Sequence, residues 1–290
     1  MDLSPFLYEP IVRAALAEDI GAGDITTAIC VPDGTMAVAT FYAKSPGVIA
    51  GLAVGAAAFS ILDPNVRFDT IVTDGAVVGP GRTAIARVSG EARALLTGER
   101  VALNLMQRLS GIATLTARYV ALVSGTNARI ADTRKTTPGL RVLEKWAVRV
   151  GGGHNHRFGL YDSVLIKDNH IRAAGGIRPA VLSARAQIPH TMKVEVEAST
   201  LGQVDEALAA GADIILLDNM DAPMLAAAVK RIGGRAVTEA SGGIDESTAA
   251  AVASIGVDII SVGALTHSAP ALDISMDFKE PNDGLVDGGN

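Results

Sequence analysis

The hydrophobic rhythm of the chain changes twice. From Ser4 to Asp19 the apolar residues Leu7, Ile11, Ala14 and Ala15 share one helical face. Ser4 stands at the N-cap position, Pro5 at the first helical position, and Gly21 and Gly23 follow. From Met36 to Gly90 the spacing shortens to the strand-like runs AVATFYA, VRFDTIV and TAIARVSG, separated by Gly47, Asp74-Gly75 and Gly79-Pro80-Gly81. This predicts a small α+β unit. Within it, Ser45 to Leu62 is uncharged and carries Gly51 and Gly55, which predicts a buried helix with a small-residue face. The stretch is short and Ala/Gly-rich for a membrane span.

Thr97 to Val123 returns to a helical spacing through Val101, Leu105, Leu109, Ile112, Leu115 and Val120, with a break expected near Ser110-Gly111. After it, six apolar runs alternate with helical patterns: ARIAD (128–132), SVLIK (163–167), MKVEVE (192–197), ADIILLD (212–218), RAVTEA (235–240) and VDIISVG (257–263). Near-continuous apolar strands separated by helices predict a parallel sheet covered by helices. No dinucleotide or P-loop fingerprint follows any of them. Equal spacing then favours a barrel, and the roughly 160 residues left fall short of the about 250 that eight units need. The fold expected is α/β: an N-terminal α+β sandwich domain at 1–112, joined by the C-terminal segment 271–280, and an incomplete parallel α/β barrel at 113–270. The tail from Lys279 to Asn290 is expected to be disordered.

Composition narrows the choice. The 290 residues are 49% hydrophobic and 19% charged, with a net charge of -6 and 4% aromatics. Such a chain buries a large core and offers a nucleic-acid strand neither a basic face nor stacking surfaces. The single cysteine, Cys30, excludes an intrachain disulfide and a cysteine-rich metal site, and it lies in a turn-like stretch far from the candidate chemistry. An acid at position 2 and the absence of a long apolar run after it leave no export signal to read, so a reduced cytoplasmic setting is expected.

Against that acidic background, Asp132 to His170 carries seven Lys or Arg and three of the five histidines. A local excess of cations attracts a small, highly charged anion. In parallel barrels the working residues stand at the C-terminal ends of the strands. Read that way, the six runs deliver Arg134 and Lys135, then Lys167, then the acids Glu195, Glu197, Asp218 and Glu239. The glycine turns Ser241-Gly242-Gly243 and Gly263-Ala264 come last, ahead of helices whose free N–H groups would suit a phosphate. Cations for carboxylates, acids for a metal and glycines for a phosphate make three compartments. Arg141, Lys145 and Arg149, at i, i+4, i+8, read as a solvated helix face. His154-Asn155-His156 offers two histidines without an evident third metal ligand.

DTRKTTPGLR (132–141), GGGHNHRFGL (151–160), LIKDNH (165–170), LLDN (216–219), EASGGI (239–244) and VGALTHS (262–268) occur in that order. With ERVALNLMQRLSGIAT (99–114) and the LxEDIGxGDxTT pattern at 16–27, they closely resemble the quinolinate phosphoribosyltransferase family over almost the whole chain. The resemblance implies a type II phosphoribosyltransferase fold. It also implies transfer of phosphoribosyl from 5-phosphoribosyl 1-pyrophosphate to quinolinate with decarboxylation, giving nicotinate mononucleotide, CO2 and pyrophosphate in NAD synthesis. It further implies that Arg134, Lys135, Thr136, His156, Arg157 and Lys167 bind quinolinate, with Arg100 supplied by a neighbouring subunit of a homodimer or higher even oligomer. Glu195 and Asp218 would hold the ribose and the Mg2+ of the donor, and Ser241, Gly242, Gly243, Gly263 and Ala264 its 5′-phosphate. Lys135, Lys167, Glu195 and Asp218 would be catalytic. His154 stands where the family has a smaller, uncharged residue. Two other readings carry the same residues: a related pyrophosphorylase with another acceptor, and a non-catalytic anion-sensing protein.

Overall fold

The computed structural model describes residues 3–278; the tail expected to be disordered, Lys279 to Asn290, lies outside them. In chain order the first elements are α1 (Pro5–Ile20), α2 (Ile25–Cys30), β1 (Met36–Ala43), β2 (Gly47–Val48), α3 (Leu52–Ser60) and β3 (Arg67–Thr70). Then come β4 (Val77–Val78), β5 (Thr83–Glu91) and α4 (Ala92–Leu122). The second half runs β6 (Arg129–Ala131), α5 (Arg141–Val150), β7 (Val164–Ile166), α6 (Asp168–Ala174), α7 (Ile177–Gln187) and β8 (Val194–Ala198). It continues with α8 (Leu201–Ala210), β9 (Ile214–Asp218), α9 (Ala222–Ile232), β10 (Val237–Ser241), α10 (Ala249–Ser254), β11 (Ile259–Ser261), α11 (Ala264–His267) and β12 (Ile274–Phe278). These elements form two compact units. Among the described residues one comprises 3–114, 142–150 and 269–278, the other 115–141 and 151–268.

The first unit is built on an antiparallel sheet ordered β12-β1-β5-β3, whose outer strand β12 comes from the far end of the chain. Alternating burial along β1 turns Ala39, Phe41 and Ala43 inward, where Phe41, Phe59 and Phe68 meet with ring centroids 5.6–6.2 Å apart. The small-residue stretch does form a buried helix, α3. A Cβ added at Gly55 would lie 2.4 Å from Met106 Sδ, and one at Gly51 2.8 Å from Leu109 Cδ1, so glycine is what lets α3 approach α4.

Three expectations fail in this unit. Helix α4 does not break at Ser110-Gly111. The pair is a packing site instead: Ser110 Oγ accepts from Ala50 N (2.9 Å) and donates to Ala50 O (3.1 Å), and a Cβ at Gly111 would lie 2.0 Å from Pro270 O. Nor is α5 a solvated basic face. Lys145 and Glu144 are fully buried, Glu144 accepts from Arg108 (2.8 Å), and Arg141 donates to Thr136 Oγ1 (2.9 Å) and Phe158 O (3.0 Å), so Arg149 alone of the three cations is exposed. Charge spacing on a helix reports a solvated face only when no neighbouring element covers it, and here Lys145 is covered and Arg141 is bonded to Thr136 and Phe158. Cys30 ends α2 rather than sitting in a turn, and it is exposed.

The second unit holds the six apolar runs as six parallel strands ordered β6-β11-β10-β9-β8-β7. Each run is buried nearly end to end, as strands with helices over them must be. Among the described residues β6 and β7 do not pair, which leaves the barrel incomplete at that seam. His154 lies beside β6 as a single parallel bridge to Ala131. Among the described residues no helix is long and apolar enough to cross a membrane.

Candidate active site

A cavity of about 610 Å3 opens at the C-terminal ends of the barrel strands. β6 delivers Arg134 and Lys135 to it, β7 delivers Lys167, and the loop before β7 delivers His156 and Arg157. From β8, β9 and β10 come Glu197, Asp218, Glu239 and Ser241, and the turns add Gly242, Gly243, Gly263 and Ala264. Cations, acids and glycine turns thus line one cavity.

The cations are held before any ligand arrives. Arg157 Nη1 donates to Ser163 O (3.1 Å), while its buried Nε finds no hydrogen-bond partner among the described residues. Burial, then the neighbouring Arg134, pulls the Arg157 guanidinium below its ordinary pKa. Two guanidinium groups near enough to repel each other both gain from an anion bound beside them. Lys167 Nζ rests on Glu197 Oε2 at 2.6 Å. Lys135 is aimed by its backbone: Thr266 Oγ1 donates to its carbonyl (2.8 Å), and a Cβ at Gly263 would lie 2.9 Å from Lys135 Cδ, so glycine lets the side chain cross the turn.

The His156 ring is fixed from both edges. Asp132, fully buried, accepts from Asn155 Nδ2 (2.5 Å) and His156 N (2.9 Å), and Arg157 N donates to His156 Nδ1 (2.7 Å). His156 Nε2 then lies 3.2 Å from Glu195 Oε2 and 3.5 Å from Glu239 Oε1. Burial, then the nearby Glu195, pushes the Glu239 carboxyl up to about 7.

Glu195 and Glu197 share a face of β8, but they do different things. Glu195, with its side chain 3% exposed, sits below the floor and does not line the cavity; Glu197, nearer the strand end, does. Strand-end placement thus favours Glu197 as the acid facing a ligand. Thr136 does not line the cavity and instead holds Arg141. Arg100 lines a second hollow, of about 330 Å3, in the first unit with Asp19, Gly23, Asp24 and Thr97. The glycine turn also differs from the expectation of a helix N-terminus. α10 starts only at Ala249, and the turn is made by Gly242 (φ 93°) and Gly243 (φ 62°), both left-handed. Sequence reasoning passed over Asn219 and His267, which line the cavity as well; the LLDN and VGALTHS motifs contained both.

Magnesium prefers oxygen ligands and is usually held by one or two carboxylates together with substrate phosphates. Asp218, half-buried at the mouth and beside the glycine turn, fits that requirement. Among the described residues His156, Glu195 and Glu239 also bring one donor atom each to within 4.8 Å of one another, but an imidazole nitrogen in a buried set suits magnesium poorly.

Two family profiles match the chain: "Quinolinate phosphoribosyl transferase, N-terminal domain" over residues 24–110 and "Quinolinate phosphoribosyl transferase, C-terminal domain" over 112–277. The chain is 48% identical over 268 residues to a probable nicotinate-nucleotide pyrophosphorylase [carboxylating] of Bacillus subtilis, covering 92% of each chain. It is 47% identical to a nicotinate-nucleotide pyrophosphorylase [carboxylating] of Mycobacterium leprae, over 92% of this chain and 95% of that one. Its fold is similar to the crystal structure of NadC from Streptococcus pyogenes, with a TM-score of 0.91 and 43% identity over 97% of this chain and all of the other.

Proposed function

The chain belongs to the quinolinate phosphoribosyltransferase family and catalyses that family's carboxylating pyrophosphorylase reaction in NAD biosynthesis, and we propose that the cavity of the second unit is where it does so. The observation that carries the assignment is the presence of Arg134 beside a half-buried Arg157, whose Nε is buried without a hydrogen-bond partner among the described residues, together with Lys135, Lys167 and His156. Quinolinate has two adjacent carboxylates that repel one another. Planar arginine forks suit them, each charge-assisted hydrogen bond contributing about 1.5–3 kcal/mol.

The acids and the glycine turns face the donor. Glu197, steadied by Lys167, takes the role that the sequence reading gave to Glu195 and lies near the ribose, where a carboxylate stabilises the positive charge that develops at the anomeric carbon. Asp218 would hold magnesium carried in on the pyrophosphate, and the ion when bound neutralises charge on the departing group. Gly242, Gly243, Gly263 and Ala264 cradle the 5′-phosphate. Lys135 and Lys167, which both line the cavity, stabilise the electron density that builds up as CO2 leaves.

Arg100, in a hollow of its own, is assigned to a neighbouring copy's site, so the working unit is a homodimer or a higher even assembly. A cytoplasmic setting agrees with the exposed, unpaired Cys30.

Calorimetric titration tests the assignment. Quinolinate should bind at least ten times more tightly than nicotinate, which lacks the second carboxylate. Equal affinity for the two would remove the dicarboxylate reading and favour a related pyrophosphorylase with another acceptor.

A further inference from the structure

The mechanism so far leaves a buried pair of acids unused. Glu195 on β8 and Glu239 on β10 lie beneath His156, both 2% exposed, and Glu239 Oε1 finds no hydrogen-bond partner among the described residues. Only Glu239 of the two lines the cavity. The proton inventory around them is constrained. Because Arg157 N donates to His156 Nδ1, that nitrogen carries no proton, and the neutral ring presents a single N–H from Nε2. One N–H faces two carboxylates, at 3.2 and 3.5 Å. Two like charges this close in a buried site cannot both ionise without heavy cost, so the pair retains a proton.

We infer that Glu239 is the acid that protonates ring carbon C2 of the bound pyridine after CO2 has left. The inference rests on the reading of the cavity as the quinolinate site. The bond from C2 to its carboxylate breaks and the electron pair stays on C2, beside the quaternised ring nitrogen. The Glu239 O–H then breaks, the C2–H bond forms, and Glu239 is left as a carboxylate facing His156 Nε2–H until water reprotonates it after product release. The groups facing Glu239 are Glu195 from β8, His156 from the loop, Asp132 from the end of β6 and Ser261 from β11. Burial and Glu195 favour the protonated form, whereas His156 and Ser261 oppose it.

The test is steady-state kinetics with quinolinate, phosphoribosyl pyrophosphate and Mg2+ across pH 5.5–8.5, together with binding of each substrate. In the unmodified enzyme kcat should fall as pH rises through about 7. Glu239→Gln should bind both substrates within threefold of normal, lose on the order of 100-fold in kcat and lose the high-pH limb. Glu239→Asp should recover part of the rate, and Glu195→Gln should keep the limb but move it to lower pH. A Glu239→Gln enzyme whose kcat and pH limb match the unmodified protein overturns the assignment. So does an equal loss of kcat and of substrate binding, which would mark a structural role. If the unmodified protein forms no product from quinolinate, the reading of the cavity itself fails.

Discussion

Replacing Gly242 by alanine should separate donor binding from acceptor binding, with Gly243→Ala as its control. Both glycines are left-handed, at φ 93° and 62°, so an alanine at either costs about 1–2 kcal/mol of backbone strain. They differ in what the added methyl meets. At 243 nothing lies within 4 Å, whereas at 242 the Cβ would lie 2.2 Å from Asn219 Oδ1 and 2.5 Å from its Cγ. Asn219 must move, and it is itself held at φ 52° by donating N–H to Ser241 O (2.9 Å) and Nδ2 to Asp218 Oδ2 (2.8 Å). Losing the side-chain bond adds about 1 kcal/mol and disturbs the acid assigned to magnesium. Gly242→Ala should therefore weaken phosphoribosyl pyrophosphate about tenfold more than Gly243→Ala does, while quinolinate affinity stays within threefold of normal in both. Isothermal titration of each ligand, with thermal melts to confirm folding, reads the difference. Equal donor affinity in the two variants would refute the claim that this turn and Asn219 form one donor site.

Arg134→Ala or Arg157→Ala should each weaken quinolinate about 10–100-fold with an unchanged melting temperature, measured by titration. Mixed dimers of Arg100→Ala and Lys167→Ala chains should regain activity that neither variant has alone, and no rescue in verified mixed dimers would count against sharing across subunits. Arg108→Ala should cost about 3 kcal/mol in denaturant unfolding because it withdraws the guanidinium from fully buried Glu144. Glu239, raised from 4.5 to about 7, holds its proton more tightly folded than unfolded. Its contribution to stability is therefore complete below about pH 4.5 and lost as pH rises through 7, and Glu239→Gln should flatten that part of the pH–stability curve, by at most about 3 kcal/mol.

Much of this was legible in the residues. The six parallel strands followed from uninterrupted apolar runs, a pattern that only strands buried on both faces sustain, and strand-end positions placed Arg134, Lys135, Lys167 and Asp218 at one mouth. What escaped was whatever depended on a partner distant in sequence. Arg141 and Lys145 read as part of a solvated face because what covers Lys145 and what bonds Arg141, Phe158 included, lies outside their own helix. Ser110-Gly111 read as a break because the segments it packs against lie 60 residues before it and at Pro270. Glu195 and Glu197 share a face, so alternation could not say which was nearer the mouth; depth along the strand decides it. The acid pair under His156 was hidden for the same reason, since it joins residues of β8, β10 and a loop that no local pattern connects.

The most direct test of the whole assignment is product stoichiometry. The purified protein is mixed with quinolinate, phosphoribosyl pyrophosphate and Mg2+, and nicotinate mononucleotide, pyrophosphate and CO2 are followed together. The expected result is equimolar release of all three, with no mononucleotide when nicotinate replaces quinolinate. Mononucleotide from nicotinate, or bound substrates with no pyrophosphate released, would contradict it.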